Sequence, residues 1–182
     1  MSLEHAILVS LAEKASSGYE LARRFDKSIG QFWTATHQQI YKVLGRMESA
    51  GWVTATAVEQ EGRPDKKVYE VTAPGRDELA RWISEPAETE TGRSELAVKL
   101  RGASFGRTGD VVNEIVRHRA IHVTRLDYYL GNEKREFPDP SRLRGRRLHQ
   151  YLVLRGGIRM EQNMIDWCDE VLTALRPTKG TR

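Results

Sequence analysis

Side chains that can hydrogen-bond to the bases and phosphates of a nucleic acid are concentrated between residues 37 and 49. They are His37, Gln38, Gln39, Tyr41, Lys42, Arg46 and Ser49. A glutamine can pair with N6 and N7 of adenine, and an arginine or lysine can reach O6 and N7 of guanine or a phosphate. We therefore predict a DNA-contacting surface in which Arg46 reaches a base edge, while His37 and Tyr41 contact phosphates from the flanks.

An amphipathic helix would place these polar side chains on one face. The apolar residues of the segment recur at the spacing of a buried helical stripe, which consists of Ile40, Val43, Leu44 and Met47. Thr36 is a suitable N-cap for this helix, and Gly51 is a suitable C-terminal stop. A merely solvated helix face would carry Lys42 and Arg46 equally well, so the helix by itself leaves both interpretations open.

The segment that follows predicts a β-hairpin with a cationic tip. Residues 52–58 and 68–71 are rich in β-branched residues, and the turn-forming stretch 61–65 separates them. Three cations are concentrated at and just after this turn, namely Arg63, Lys66 and Lys67. A tip of this kind can lie on the phosphate backbone or in the minor groove, which favours the DNA-contacting interpretation of the preceding helix.

Further helices must position this pair of elements. Apolar periodicity predicts helices over residues 3–11, 18–27 and 76–83, with Ser16 or Ser17 as the N-cap of the second one. Three helices, a two-stranded hairpin and a fourth helix form the winged version of the helix-turn-helix, whose reading helix enters the major groove. We predict that this domain covers residues 1–84.

The remainder of the chain predicts a helical domain over residues 94–182, after a polar linker at 85–93. In its last helix, predicted over 140–175, apolar residues recur every seven positions, with a second set three positions further on. They are Tyr151, Leu154, Ile158, Ile165, Cys168, Leu172 and Leu175, and Glu161 is the one break. This seam, together with a helix over 110–130, predicts a dimerisation interface, although a core stripe within one chain has the same spacing.

The reading segment resembles the PadR family of transcriptional regulators. The resemblance rests on QIYKVLGRMESAGWV at 39–53, on LEHAIL and SGYEL near the start, on Phe32-Trp33, and on YEVT at 69–72. Arg155-Gly156 and IDW at 165–167 resemble the long-tailed subfamily that is related to virulence-gene activators. The resemblance implies a homodimer that acts mostly as a repressor, contacts DNA through the third helix and the wing, and is released by a small molecule in some members.

Composition and motif content argue against an enzyme and a membrane protein. The 182 residues carry a net charge of +4 and one cysteine, Cys168, so no intrachain disulfide can form. The sequence has no signal-like start, no apolar run of about 18 residues, no P-loop, no GxGxxG and no nucleophile elbow, so a cytoplasmic non-enzyme is expected. His118 and His122 lack the glutamate and third ligand of a zinc motif, and no metal, cofactor or catalytic residue is predicted.

These features together predict a mainly α fold with a small β-hairpin, built from a winged helix-turn-helix and a C-terminal helical dimerisation domain. The predicted function is that of a sequence-specific homodimeric repressor of transcription that binds an inverted-repeat operator in double-stranded DNA and responds to a small-molecule effector. A winged-helix module for protein–protein contacts and an activator without a ligand are the alternatives.

Overall fold

The computed structural model describes residues 3–27, 35–59, 66–87 and 94–176. The chain divides into two compact units, Met1–Glu90 and Thr91–Arg182. The division into a DNA-binding domain, a linker and a dimerisation domain stays a prediction, and residues 88–93 of the expected linker lie outside the described ranges. The same holds for Arg63 at the wing tip and for Phe32-Trp33.

The first unit has the element order expected of a winged helix-turn-helix. Its elements are α1 (Leu3–Glu13), β1 (Ser16–Ser17), α2 (Gly18–Lys27), α3 (His37–Ser49), β2 (Val53–Val58), β3 (Lys66–Val71) and α4 (Ala73–Ile83). The predicted mainly α fold with a small β-hairpin is therefore confirmed, and α4 begins three residues earlier than the sequence pattern indicated. The earlier start follows from Thr72, whose hydroxyl accepts from the backbone N–H of Gly75 and caps the helix.

Both ends of α3 are fixed by local interactions that the sequence predicted. The Thr36 hydroxyl accepts from the Gln39 backbone N–H, and the Gln39 side chain accepts in return from the Thr36 backbone N–H at 2.8 Å. This reciprocal pair is a capping box, which satisfies two donors at the start of the helix. Gly51 has a φ of +74°, a conformation that favours glycine and ends the helix before β2.

The sheet has a third strand that the sequence analysis did not predict. Its strand order is β1-β3-β2 and both pairings are antiparallel, with Ser16 opposite Tyr69 and Val53 opposite Val71. Ser17 also caps α2, because its hydroxyl accepts from the Glu20 backbone N–H at 3.3 Å. The expectation of an N-cap at this position was thus correct but incomplete, since the same two residues also pair with the wing.

One continuous core holds the helices of this unit against the sheet. It is formed by Ala6, Ile7, Leu8, Leu11, Leu21, Ala22, Phe25, Ile40, Val43, Leu44, Met47, Val53, Tyr69 and Val71. The four α3 residues of the predicted stripe are all in it. Burial of one such side chain contributes roughly 1.5–3 kcal/mol, so the stripe fixes which face of α3 points outward.

The second unit is a hairpin of two long helices with a short helix beside it. It comprises α5 (Glu95–Arg101), α6 (Thr108–Glu136) and α7 (Gly145–Ala174), with 3-10 turns at Ala103–Phe105 and Pro140–Arg142. The helix predicted over 110–130 is longer at both ends, because α6 runs from Thr108 to Glu136, and α7 begins at Gly145 rather than at residue 140. No helix among the described residues is both long and apolar enough to cross a membrane.

Several residues of the heptad seam on α7 pack within their own chain. Ile158, Ile165 and Cys168 are buried, and Cys168 belongs to a cluster with Leu96 of α5, Ile115 of α6 and Val171. Leu172 and Leu175 pack against this cluster, and the Tyr151 ring lies 5.5 Å from that of Phe137. The Glu161 break has a partner in His122 of α6. The seam therefore packs α7 against the other helices of its own unit. This is the core stripe within one chain that the spacing allowed as the alternative to a dimer interface.

Candidate nucleic-acid interface

The outward face of α3 consists of polar side chains around a glycine. All of the predicted reading residues on the helix are exposed, namely His37, Gln38, Gln39, Tyr41, Lys42, Arg46 and Ser49. Gly45 lies among them, and a Cβ built there would meet nothing within 4 Å. A partner as wide as a nucleic-acid duplex can therefore approach the α3 backbone closely at this point.

Two of these polar side chains already use part of their hydrogen-bonding capacity. The Gln39 carbonyl oxygen serves the capping box with Thr36, so its amide NH₂ is the group that can donate to a base. The Ser49 hydroxyl donates to the Gly45 carbonyl oxygen one turn earlier, at 3.0 Å. Ser49 can therefore act toward a partner mainly as an acceptor.

Arg46 has a charged partner within the domain. Its Nη2 lies 2.6 Å from Oε1 of Glu4, which is in the first turn of α1. The Arg46 side chain is 61% exposed, whereas that of Glu4 is only 21% exposed. The ion pair draws the Arg46 guanidinium toward α1, to one side of the centre of the outward face.

Tyr41 on the opposite flank packs over Gly18, the first residue of α2. A Cβ at Gly18 would lie 2.4 Å from Cε1 of the Tyr41 ring, so the glycine makes room for the ring. Next to it Tyr19 is exposed, and the Arg23 guanidinium carbon lies 5.8 Å from the centre of the Tyr19 ring. This edge of α2 extends the polar and aromatic surface beyond α3.

The wing is anchored to α2 by a carboxylate. Glu20 accepts from the Ser17 backbone N–H at 3.0 Å and from the Ser17 hydroxyl at 2.9 Å, and Lys66 Nζ of β3 lies 3.3 Å away. The hydrogen bond from the Ser17 backbone, then that from its hydroxyl, then Lys66, lower the pKa of Glu20 to about 2. Glu20 is thus an anion at neutral pH and holds Lys66 at the start of β3, next to the tip of the wing.

The described cations of this surface fall into two classes. Arg46 and Lys66 are each paired with a carboxylate, whereas Lys42 and Lys67 form no ion pair with any residue that the structure describes. Both lysines are exposed. A surface lysine without an ion pair can bind a phosphate without first giving up a protein partner, so Lys42 and Lys67 are available to a phosphate as they stand.

A second carboxylate, that of Glu78, fixes α1 against α4. The His5 ring stacks on Trp82 with 4.7 Å between ring centres, and its Nε2 lies 2.9 Å from Oε1 of Glu78. Hydrogen bonds from Arg81 and then from His5 lower the pKa of Glu78 to about 2. These contacts hold the start of α1, and with it Glu4, in a defined position.

Sequence reasoning identified the outward residues of α3 but missed the residues that support them. Glu4, Gly18 and Glu20 were not predicted to belong to the surface. Ser17 and Glu20 have the three-residue spacing of a capping box, a signal that could have identified Glu20. Glu4 and Gly18 gave no comparable signal, because their partners lie on a different helix.

Two histidines of the second unit, His118 and His122, contact carboxylates. His122 Nδ1 contacts Oε2 of Glu161, and His118 Nε2 lies 3.3 Å from Oε1 of Glu114. No group of three or more potential metal ligands occurs in the described part of the chain. Burial raises the pKa of the Cys168 thiol, a condition that does not favour a reactive thiolate.

Comparison with known proteins relates both units to one group of regulators. Residues 7–81 match the model of the transcriptional regulator PadR-like family, and residues 92–176 match that of the virulence activator alpha C-term domain. The chain is 59% identical to the probable transcriptional regulator Rv1176c of Mycobacterium tuberculosis, over 97% of this chain and 98% of the relative.

Two proteins of known structure resemble the chain over nearly its whole length. One is the virulence activator AphA of Vibrio cholerae, with a TM-score of 0.79 and 31% identity over 96% of this chain and 98% of that one. The other is Bacillus subtilis PadR in complex with operator DNA, with a TM-score of 0.84 and 26% identity over 94% of this chain and 98% of that one. Since a relative with 59% identity covers almost the entire chain, and both units match the corresponding models, the protein belongs to the PadR family of DNA-binding transcriptional regulators.

Proposed function

We propose that the protein is a homodimeric repressor that binds an inverted-repeat operator by placing α3 in the major groove. The observation that carries this proposal is the outward face of α3, where Gln38, Lys42 and Arg46 surround a glycine beside a cationic wing. The DNA-bound state of Bacillus subtilis PadR, which shares the fold along the whole chain, supports the same use of the surface.

The individual side chains have distinct proposed roles. Gln38, Lys42 and the Gln39 amide face the base edges, and Arg46 contacts a guanine edge. His37 and Tyr41 contact the flanking phosphates, and the Ser49 hydroxyl oxygen, whose proton is used within α3, accepts from an amino group of a base. The wing contributes Arg63, Lys66 and Lys67. Lys66 would have to leave Glu20 to bind a phosphate, whereas Lys67 forms no ion pair with a described residue and can bind one directly. Phosphate contacts contribute affinity without sequence preference, while base contacts provide the specificity.

We propose that the second unit forms the dimer interface with a second copy of the chain. Large apolar side chains remain exposed on it, among them Phe105 at 94% and Met160 at 69%, together with Leu152 and Val153 of α7. Leu152, Val153 and Met160 have helical spacings that bring them to one face of α7, and an exposed apolar face of this kind marks an interaction surface. The buried seam residues Ile158, Ile165 and Cys168 would then support the interface from inside the hairpin. The half-buried seam residues, namely Tyr151, Leu154, Leu172 and Leu175, would contribute only their exposed edges to it.

Selection of bound duplexes from a random pool, followed by footprinting, tests the operator proposal. We expect an inverted repeat whose half-sites are separated by about 10 base pairs or a multiple of that, because a two-fold dimer presents its two α3 helices at this spacing. A footprint over one asymmetric half-site with one chain bound would contradict the proposal. Failure to select any sequence, with binding equal on all duplexes, would contradict specific recognition altogether.

Activation is the second candidate, and the 31% identity to the virulence activator AphA favours it. The 28% identity to the negative transcriptional regulator PadR of Bacillus subtilis favours repression instead. A reporter driven by the promoter that contains the selected operator distinguishes the two. Deletion of the regulator should raise expression if the protein represses and lower it if the protein activates.

The proposal includes release of the repressor from DNA by a small molecule, as the family resemblance implies. A collection of small organic molecules can be screened for compounds that raise the melting temperature of the free protein, since binding to the folded state stabilises it. Compounds that pass should lower the affinity for the selected operator. Compounds that stabilise the protein but leave operator affinity unchanged would argue against a released repressor.

A further inference from the structure

The ion pair between Glu4 and Arg46 joins the reading helix to α1. Its contact uses one nitrogen of the guanidinium, Nη2, and one carboxylate oxygen, at 2.6 Å. The pair spans a shallow hollow of about 340 Å³ that is lined by Glu4, Arg46, Met47, Ala50 and Trp52. Because a guanidinium has five N–H groups in a fork, one contact of this kind leaves donors on Nη1 and Nε for another partner.

Glu4 is held much more firmly than Arg46. It lies in the first turn of a helix whose Ile7, Leu8 and Leu11 are core residues, and the neighbouring His5 is fixed by Trp82 and Glu78. The Glu4 side chain is 21% exposed, against 61% for Arg46. The carboxylate therefore acts as a fixed point to which a long, flexible side chain is tied.

We propose that Glu4 is a positioning residue for DNA recognition, which holds the Arg46 guanidinium on the α1 side of the outward face, with its remaining N–H donors available to a base edge before and during binding. A free arginine side chain loses considerable rotamer freedom when it is ordered at an interface, and a preformed ion pair reduces this loss on binding. The inference rests on the proposed function, because it assigns Glu4 a role only if Arg46 contacts a base. It adds a specificity-determining residue that lies on α1, outside the reading helix.

The charge-neutral variant Glu4→Gln tests this role in the full-length protein. Affinities are measured for the selected operator, for operators substituted at each base pair, and for a random duplex. We expect the ratio of operator to random affinity to fall roughly three- to ten-fold, with the loss confined to the base pair that Arg46 contacts. Asp77→Asn is the matched control, because it removes one negative charge from an exposed position on α4 of the same unit.

Arg46→Lys identifies the base pair independently, since lysine keeps the charge but not the fork. The proposal requires that Glu4→Gln and Arg46→Lys lose discrimination at the same base pair. It is overturned if Glu4→Gln changes operator and random affinity by the same factor, or if it raises both more than Asp77→Asn does, because Glu4 would then be a structural residue or a competitor of DNA.

A shorter acid gives a second variant should Glu4→Gln fail to fold. Glu4→Asp keeps the charge and shortens the arm, and we expect a smaller loss at the same base pair. Discrimination unchanged at that base pair in Glu4→Asp, with Arg46→Lys still impaired there, would overturn the inference. A wild-type protein that selects no sequence would instead contradict the proposed function itself, so the two failures are distinguishable.

Discussion

At the scale of single residues, Arg46 and Lys67 carry the same charge in different surroundings. Arg46 projects from the reading helix and is paired with Glu4, whereas Lys67 is an exposed residue at the start of β3. A base-edge contact discriminates by roughly 1–3 kcal/mol, and a phosphate contact adds affinity on every sequence. The two residues are therefore expected to differ in what their removal costs.

We predict that Arg46→Ala weakens operator binding by much more than random-duplex binding, and that Lys67→Ala weakens both alike. Lys67→Ala should also flatten the plot of log affinity against log salt by about one unit of slope, because one phosphate contact is lost. Fluorescence anisotropy with both duplexes across a salt series measures all of these quantities. An unchanged ratio of operator to random affinity in Arg46→Ala would show that the base-reading face of α3 was assigned incorrectly.

A substitution at Gly45 is expected to change stability and DNA binding in opposite directions. Nothing lies within 4 Å of a Cβ built there, so Gly45→Ala should raise the free energy of unfolding by up to about 1 kcal/mol through better helix propensity. The same methyl group would stand on the face that approaches DNA, and we predict a lower operator affinity.

Gly131→Ala is the matched control for this substitution. Gly131 lies in the interior of α6, is exposed, and also has nothing within 4 Å of a built Cβ. It should give the same gain in urea denaturation without any loss of DNA affinity. Equal operator affinity in Gly45→Ala and the wild type would place the duplex elsewhere.

At the scale of elements, β1, α2 and the wing depend on one carboxylate. Glu20 has a pKa of about 2 in the folded chain against 4.5 for an ordinary glutamate. A carboxylate with a lowered pKa stabilises the fold fully above its unfolded pKa, and this contribution is lost as the pH falls from that value toward the folded one. The half-exposed position of Glu20 means that solvent reduces the size of the effect.

We predict that Glu20→Gln lowers the free energy of unfolding at neutral pH, and that its difference from the wild type shrinks between about pH 4.5 and pH 2. Glutamine does not ionise, so the free energy of unfolding of the variant does not rise when carboxyl groups at this position would lose their proton. Urea denaturation of both proteins at several pH values measures the difference. A difference that stays constant across this range would mean that the hydrogen bonds matter and the charge does not.

The elements that the sequence predicted well are those fixed by local interactions. The limits of α3 followed from Thr36 and Gly51, because a cap and a left-handed glycine act within one turn. Strand β1 could not be predicted, since two serines have no strand pattern and their pairing with Tyr69 is distant in sequence. The predicted end of the helix at residue 130 was too early, because α6 continues through Gly131, where packing against α7 outweighs the weak helix propensity of one glycine.

The candidate site follows the same division. Helical phase was enough to predict the outward residues of α3, because the stripe of Ile40, Val43, Leu44 and Met47 determines the opposite face. The pairing of Arg46 with Glu4 depends on how α1 crosses α3, and a spacing rule within one segment carries no information on that. The heptad seam shows the same limit, because its period fits a partner helix in the same chain as well as one in another chain.

At the scale of the whole molecule, we predict a homodimer in solution. Light scattering should give twice the chain mass of 20.8 kDa at micromolar concentration. The exposed apolar side chains of the second unit should provide the contact, so the pair of substitutions Leu152→Asp and Met160→Asp should shift the mass toward that of one chain.

Ile83→Asp serves as the matched control for the dimer prediction. Ile83 is also a large exposed apolar residue, but it lies on α4 in the first unit. The control should remain dimeric, and the double variant should retain its helical circular dichroism while losing operator affinity. A wild-type mass of one chain that does not change with concentration would rule out the proposed dimer.

The pairing of β1 with β3 also determines the order in which the protein can be completed during synthesis. Chains emerge from the ribosome with the N-terminus first, and Ser16 leaves long before Tyr69, which it must meet. The segments of α1 and α2, which are too short to be stable helices by themselves, therefore wait for the sheet that fixes them, and the core closes only when β3 has emerged. The contacts of α1 with Trp82 and Glu78 on α4 come later still. A nascent chain arrested before β3 would have α3 without its support, so the capacity to recognise DNA arises late and nearly all at once.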